Sequence, residues 1–243
     1  MIHGDFGRSF ATKKSTFETI LARAPVTIEL TVLSMLWACA IGISTGIISA
    51  VKRNTRIDHI VRVVSLLGVS IPYFLLGLIL LIVFGVYLRA LPIGGHVPFF
   101  ENPVENLRHM ILPSFSLGFA ASTLLSRMTR AMMLEVLSMD HIRTARGKGL
   151  SSWKVIRSHA LKNTMIPLVT IIGFQTAYFL GGAVIVEQIF SLPGIGRLLV
   201  LAVHNRDYQV VQAIVLILAL TFVIANLVVD LLYFALNPRI ERK

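Results

Sequence analysis

The chain has 243 residues, 55% of them hydrophobic and only 14% charged, with a formal net charge of +11. A soluble domain of this length would carry about 25% charged residues. Here the apolar residues gather into long runs parted by short polar ones, which excludes an ordinary soluble domain and indicates an all-α, polytopic helical membrane protein. The basic residues lie between the runs, where anionic headgroups and membrane orientation account for them without a nucleic-acid partner. A single cysteine, Cys39, and seven dispersed histidines give no intrachain disulfide, no metal-ligand spacing and no catalytic constellation.

The segment Met1–Pro25 carries Asp5, Arg8, Lys13, Lys14, Glu18 and Arg23 and lacks the apolar core of a signal peptide. Five spans follow, at Val26–Val51, Val61–Leu88, Ile111–Met133, Ile166–Ile185 and Val210–Ala235. Each is near the ~20 residues that cross a hydrocarbon core, where backbone groups must be satisfied within a helix. Pro72 is expected to kink the second. The third holds Ser114, Ser116, Ser122, Thr123 and Ser126, residues that suit helix–helix packing or a pore lining better than lipid contact.

Fifteen of the 23 basic residues fall in the segments after spans one, three and five or, as Arg62, Arg127 and Arg130, in the span ends that border them. By the positive-inside rule these segments and the C-terminal tail, residues 237–243, are cytoplasmic, and residues 1–25 are external. The permease domain then occupies residues 26–236. An external N-terminus with no signal before it implies one further span upstream of Met1.

The cytoplasmic loop Glu135–Met165 is long and patterned. Val136, Met139, Ile142 and Ala145 recur every three residues, as one face of a helix. Gly147 and Gly149 stop it, and Ser151 or Ser152 can cap a second helix presenting Trp153, Ile156, Ala160 and Leu161. Such an elbow has an apolar side that either lies in the lipid interface or docks into a groove on another subunit.

The residues of this loop carry a resemblance. "DHIRTARGKGLSSWKVIRSHALKNTMIPLVT" is similar to the conserved loop of binding-protein-dependent ABC importer permeases, in particular the dipeptide/oligopeptide/nickel family. The matching residues are Arg143, Thr144, Ala145, Arg146, Lys148, Gly149, Leu150, His159, Ala160, Leu161, Asn163, Ile166 and Pro167. His141 stands where an aromatic is usual, and Gly147 where alanine is usual. "GDFGRSF", "HMILPSFSLG", "FSLPGIGRLL", "NRDYQVVQA" and "NLVVDLLYFALNPRI" extend the resemblance over nearly the whole chain, to the first of the two paired permeases.

The resemblance implies a type I ABC importer transmembrane domain in a bacterial or archaeal inner membrane. Its partners would be a second homologous permease, two cytoplasmic ATPases that bind ATP and Mg, and an extracytoplasmic solute-binding protein. The chain has no Gly-rich phosphate loop with which to cradle nucleotide, so the resemblance implies a transport subunit that would bind no cofactor and leave hydrolysis to a partner. The loop, with Arg143–Leu150 and His159–Asn163, would couple it to an ATPase.

Gln175 and Tyr178 in the fourth span, and Asn226 and Asp230 one turn apart in the fifth, are candidates for the translocation path. Glu187 with Pro193, Gly194 and Gly196 would receive the binding protein or shape an external gate. Phe190, Leu192, Ile195, Leu198 and Leu199 suggest instead a short interfacial helix. Peptide import is the expected function, with nickel-chelate or glutathione uptake as alternatives by the same mechanism. An ion-coupled secondary carrier is the alternative of another class, for which Asp230 alone speaks.

Overall fold

A computed structural model describes residues 6–236. The described residues form helices α1 (Thr16–Val51), α2 (Arg56–Ser70), α3 (Tyr73–Leu80, continuing as a π-helix over Leu81–Tyr87), α4 (Pro103–Leu137), α5 (Asp140–Gly147), α6 (Ser152–Lys154, continuing as a π-helix over Val155–Ala160), α7 (Leu161–Ile189), α8 (Ile195–His204) and α9 (Tyr208–Leu236). Three of these, α1, α4 and Tyr208–Val229 of α9, are long and apolar enough to cross a membrane unaided. The number rises to five if α2 with α3, and the two parts of α7, each count as one broken span.

The helices exceed the apolar runs in the sequence. α1 starts ten residues before Val26 and holds Pro25 inside it. At Pro72 the chain breaks where a kink was expected. Ile71 is extended (φ −90°, ψ 117°) because the proline ring disfavours helical geometry in the residue before it.

The molecule divides into two compact units. The first comprises residues 1–35, 72–118 and 176–225. Its core joins Ile20 of α1, Ile195 and Ala202 of α8, and Val210, Ala213 and Ile214 of α9. Leu198 and Leu199 pack against it, so α8 is held by its apolar face. The loop before α4 is tied down by polar contacts. His96 Nε2 lies 3.0 Å from Glu29 Oε2, and Asn106 donates to the Val97 carbonyl at 2.8 Å.

The second unit comprises residues 36–71, 119–175 and 226–243. Here α1 meets α4 through small residues. A Cβ at Gly42 would sit 2.7 Å from Leu125 Cβ, and one at Gly46 2.6 Å from Thr129 Cβ, so these helices touch backbone to side chain. The hydroxyls of the third predicted span serve this packing. Ser122 and Thr123 donate back to the Phe119 and Ala120 carbonyls at 2.7 and 2.8 Å, and Thr45 donates to Ser126 at 2.8 Å. Of the three helices that can cross unaided, α4 is the most enclosed, with 67% of its apolar window buried against 39% for α1 and 17% for α9.

Candidate functional site

The elbow is built on the ends of α1 and α4. Ala50 and Met133 form its floor, and Val136, Ile142, Ala145, Val155 and Ala160 close a buried apolar cluster over them. Val136 belongs to α4, and Met139 is the half-exposed residue that precedes α5, so α5 itself contributes Ile142 and Ala145. Leu150 packs on the cluster's edge. The turn follows glycine chemistry: Gly149 adopts φ +77°, a conformation L side chains rarely take. Ser151 then caps α6, accepting from the Lys154 amide at 3.4 Å.

The second half of the elbow differs from the sequence pattern. Trp153 was expected on the apolar face, yet its side chain is 69% exposed, and Val155 takes the buried place with Ala160. The π-helix explains this. Its i→i+5 hydrogen bonds align residues five apart, so Val155 and Ala160 share a face and Trp153 turns outward.

The matched loop residues therefore fall into two layers. Ala145 and Ala160 are inside, with Leu150, His159 and Leu161 at the margin. Arg143, Thr144, Arg146, Gly149 and Asn163 are on the surface. Asn163 Nδ2 approaches His141 Nε2 at 3.4 Å and donates to the His159 carbonyl at 3.0 Å, joining the two arms of the elbow. Thr164 donates to Met133 Sδ at 3.3 Å and fastens the start of α7 to the floor.

The path candidates belong to both units, Tyr178 to the first and Gln175 and Asn226 to the second. Tyr178 is exposed and lines an open groove of about 590 Å³ with Tyr73, Gly181, Gly182, Leu218 and Phe222. Gln175 is half-buried. Asn226 has a buried Oδ1 with no hydrogen-bond partner among the described residues. The Asp230 side chain lies outside the described residues.

Glu187 is fully buried. Its Oε1 accepts from Thr27 Oγ1 at 2.6 Å and its Oε2 from the Arg197 amide at 2.9 Å, while Thr27 itself accepts from the Ile195 amide at 2.9 Å. These amides belong to the first turn of α8, whose unpaired N–H groups and dipole favour an anion. Gly194 precedes that helix, and a Cβ there would run into the Glu187 carboxylate. Gly196 faces Val184, where a Cβ would come within 2.5 Å of the backbone. Pro193 is half-buried between them. A short helix is thus present, but over Ile195–His204, with Phe190 and Leu192 buried ahead of it, and its first turn is docked on the Glu187 carboxyl group.

Two polar anchors escaped the sequence reading. Asp207 caps α9 and accepts from Ser9 Oγ at 2.5 Å and the Ala11 amide at 3.3 Å. Asp58, at the start of α2, pairs with Arg130 of α4 at 2.8 Å. An aspartate opening an apolar run and an arginine inside another were the available signal, since buried charges require partners.

Long apolar helices around hydroxyl-lined contacts, with a polar-surfaced elbow between two of them, define a multi-pass membrane transport subunit. Residues 42–242 match the family described as binding-protein-dependent transport system inner membrane component, and the chain belongs to that family, the permeases of ABC importers. It is 44% identical over 242 residues to the glutathione transport system permease protein GsiC of Escherichia coli strain K12, covering 100% of this chain and 76% of that protein. The GsiC of Salmonella choleraesuis strain SC-B67 is 43% identical over 243 residues, covering 100% and 77%. The fold matches a crystal form of the inward-facing MetNI methionine ABC transporter with a TM-score of 0.76 over 91% of this chain and 97% of that one, at 16% identity. The protein is therefore a permease component of the dipeptide/oligopeptide/nickel group with a type I importer fold.

Proposed function

We propose that this permease carries di- or oligopeptides, glutathione-like compounds among them, across the inner membrane by alternating access. Two partner ATPases that bind ATP and Mg drive it, a solute-binding protein feeds it from outside, and a second homologous permease completes the path. The observation that carries this reading is the elbow. Its apolar cluster is satisfied from within, and its outer layer of Arg143, Thr144, Arg146, Lys148 and Gly149 is left exposed as a rigid, polar surface. A surface of this kind fits a groove on a protein better than the lipid interface, which would take the apolar side.

The basic bias puts the elbow and the C-terminus in the cytoplasm, where an ATPase can reach them. Closure of the ATPases around nucleotide then displaces the elbow, and the helices rooted in it change between inward- and outward-open arrangements. The segment that carries the Glu187-docked α8 follows the fourth span, which the same charge rule assigns to the outside, where it would meet the binding protein. The GsiC resemblance over the full chain supports a peptide-like substrate, and the Tyr73–Tyr178 groove offers aromatic wall for it.

The test is a reconstituted complex of both permeases, the ATPases and the binding protein. A cysteine at Thr144 or Arg146 should cross-link to the ATPase, and labelled glutathione or dipeptide should accumulate only with ATP and the binding protein present. Cross-linking to lipid probes but never to the ATPase would sink the docking surface. Uptake of neither peptide class would sink the substrate.

A further inference from the structure

Beneath the elbow lies a buried ion pair. Asp58 has a side chain with no solvent exposure, and both its oxygens are fully engaged. Oδ1 accepts from Ser49 Oγ at 2.5 Å and from Arg130 Nε at 2.8 Å. Oδ2 accepts from the Asn54 amide and from Arg130 Nη2, each at 3.0 Å. Arg62 Nε flanks Oδ1 at 3.5 Å. The Arg130 contact is a two-pronged fork, the arrangement that fixes direction as well as distance. Capping of α2 does not require this carboxylate, because the Thr55 hydroxyl already accepts from the Asp58 amide.

The anchors of Asp58 are adjacent to the elbow's floor. Ser49 precedes Ala50, and Arg130 stands one helical turn before Met133; Ala50 and Met133 are the two floor residues. Below them the Gly42 and Gly46 contacts set how closely α1 approaches α4, and a hydrogen bond between neutral hydroxyls, Thr45 to Ser126, ties the two helices there. The fork adds a charged, directional tie at the helix ends, next to the floor itself.

We propose that the Asp58–Arg130 clamp locks the ends of α1, α2 and α4 to the elbow as one body, making Asp58 a positioning residue for the transmission of ATPase motion into the spans. The inference rests on the reading of the elbow as the ATPase-docking surface. A load applied at α5 then moves α1 and α4 together. With the clamp cut, the elbow yields on its apolar floor, and nucleotide is hydrolysed without a matching movement of the helices.

The experiment uses the reconstituted complex in vesicles and reads ATP hydrolysed per substrate imported. Asp58→Asn and Arg130→Lys are compared with wild type and with Asp58→Glu. Arg130→Lys keeps the charge and loses the fork, so it reports even where Asp58→Asn fails to assemble. The expected result is normal assembly with a ratio raised about five-fold or more, partly restored in Asp58→Glu. Hydrolysis and uptake that fall together, in proportion to assembled complex, would reduce the pair to a folding contact and overturn the inference. An unchanged ratio in Arg130→Lys would do the same. The Arg146→Cys cross-link to the ATPase, run in the same vesicles, separates the two readings. A cross-link present beside an unchanged ratio removes the clamp and leaves the docking surface. Its absence in otherwise wild-type complex removes the docking surface itself.

Discussion

Glu187 shows how one carboxylate can hold two distant parts of a chain. It gathers Thr27, 160 positions earlier in sequence, and the first turn of α8 around a fully buried carboxyl group. Replacing it with leucine leaves the Arg197 amide and the Thr27 hydroxyl without an acceptor in an enclosed site, at about 1–3 kcal/mol each. Glu187→Leu should therefore lower the thermal midpoint of the detergent-purified complex clearly, and Glu187→Gln by less. Gly194→Ala pushes a methyl group against the same carboxylate. The double variant Glu187→Gln/Gly194→Ala should lose less than the two single losses added, because both act on one contact. Strict additivity in that cycle would show that Gly194 matters for another reason. Asp207 gives a second test with a definite sign. Burial raises its pKa, but the Ser9 hydroxyl and the Ala11, Phe10 and Val210 amides outweigh this and hold it below the ordinary 3.8. Its stabilisation is present above the ordinary aspartate range and is lost as pH falls through the lower folded-state value. The midpoint difference between wild type and Asp207→Asn should stay flat from neutral pH down to that range and shrink only beneath it. A difference that closes between pH ~5 and ~7 would mean that another group is titrating.

The elbow makes its predictions through its two glycines. Gly147 ends α5 with open space around it, so Gly147→Ala should be tolerated and should stabilise α5 by up to about 1 kcal/mol. Gly149 has equally open space but a φ of +77°, so Gly149→Ala strains the backbone by about 1–2 kcal/mol without a steric clash. Protease sensitivity of the loop should rise in the second variant alone. Much of this element was legible in the sequence, because a three-residue apolar recurrence ending in glycine states both a helix and its stop. Val136, Ile142 and Ala145 stand where that pattern puts them, and Met139, at the break before α5, does not. Trp153 does not, since the rule assumes 3.6 residues per turn and the π-helix after Lys154 does not obey it. The long helices were legible from hydropathy, whereas their ends were not. α1 reaches back to Thr16 through polar residues that hydropathy discounts. The tie of Glu187 to Thr27 and that of Asp58 to Arg130 were illegible for a different reason. Each depends on which helices become neighbours, and no local pattern contains that. The hydroxyls of α4 stood open between packing and pore, and their carbonyl bonds and the glycines set against them favour packing.

For the molecule as a whole, the distribution of exposed apolar surface is the most informative feature. On α9, Leu216, Leu220, Val223, Leu227 and Leu231 are all exposed and recur at three- and four-residue intervals, which makes a continuous apolar stripe. On α2, Ile60, Val63, Leu67 and Ser70 form another, apolar in its first three members. Water does not tolerate unbroken apolar patches of this extent on a monomer. Either lipid or another protein must cover them, and the two covers leave different chemical traces. A lipid-soluble carbene probe, with its insertion sites mapped by peptide mass spectrometry, should label Leu220, Val223 and Leu227 and should not label the buried Leu125 or Met133. The labelling should then be repeated with and without a second permease in the membrane. Positions that face lipid keep their labelling, and positions that face the partner lose it only when the partner is present. If a second permease covers one of these stripes, that stripe loses its labelling when the partner is present. If every stripe labels equally in both membranes, the surface that meets the second permease lies elsewhere on the chain, and the Tyr73–Tyr178 groove, whose rim includes the exposed Phe222, becomes the next place to look.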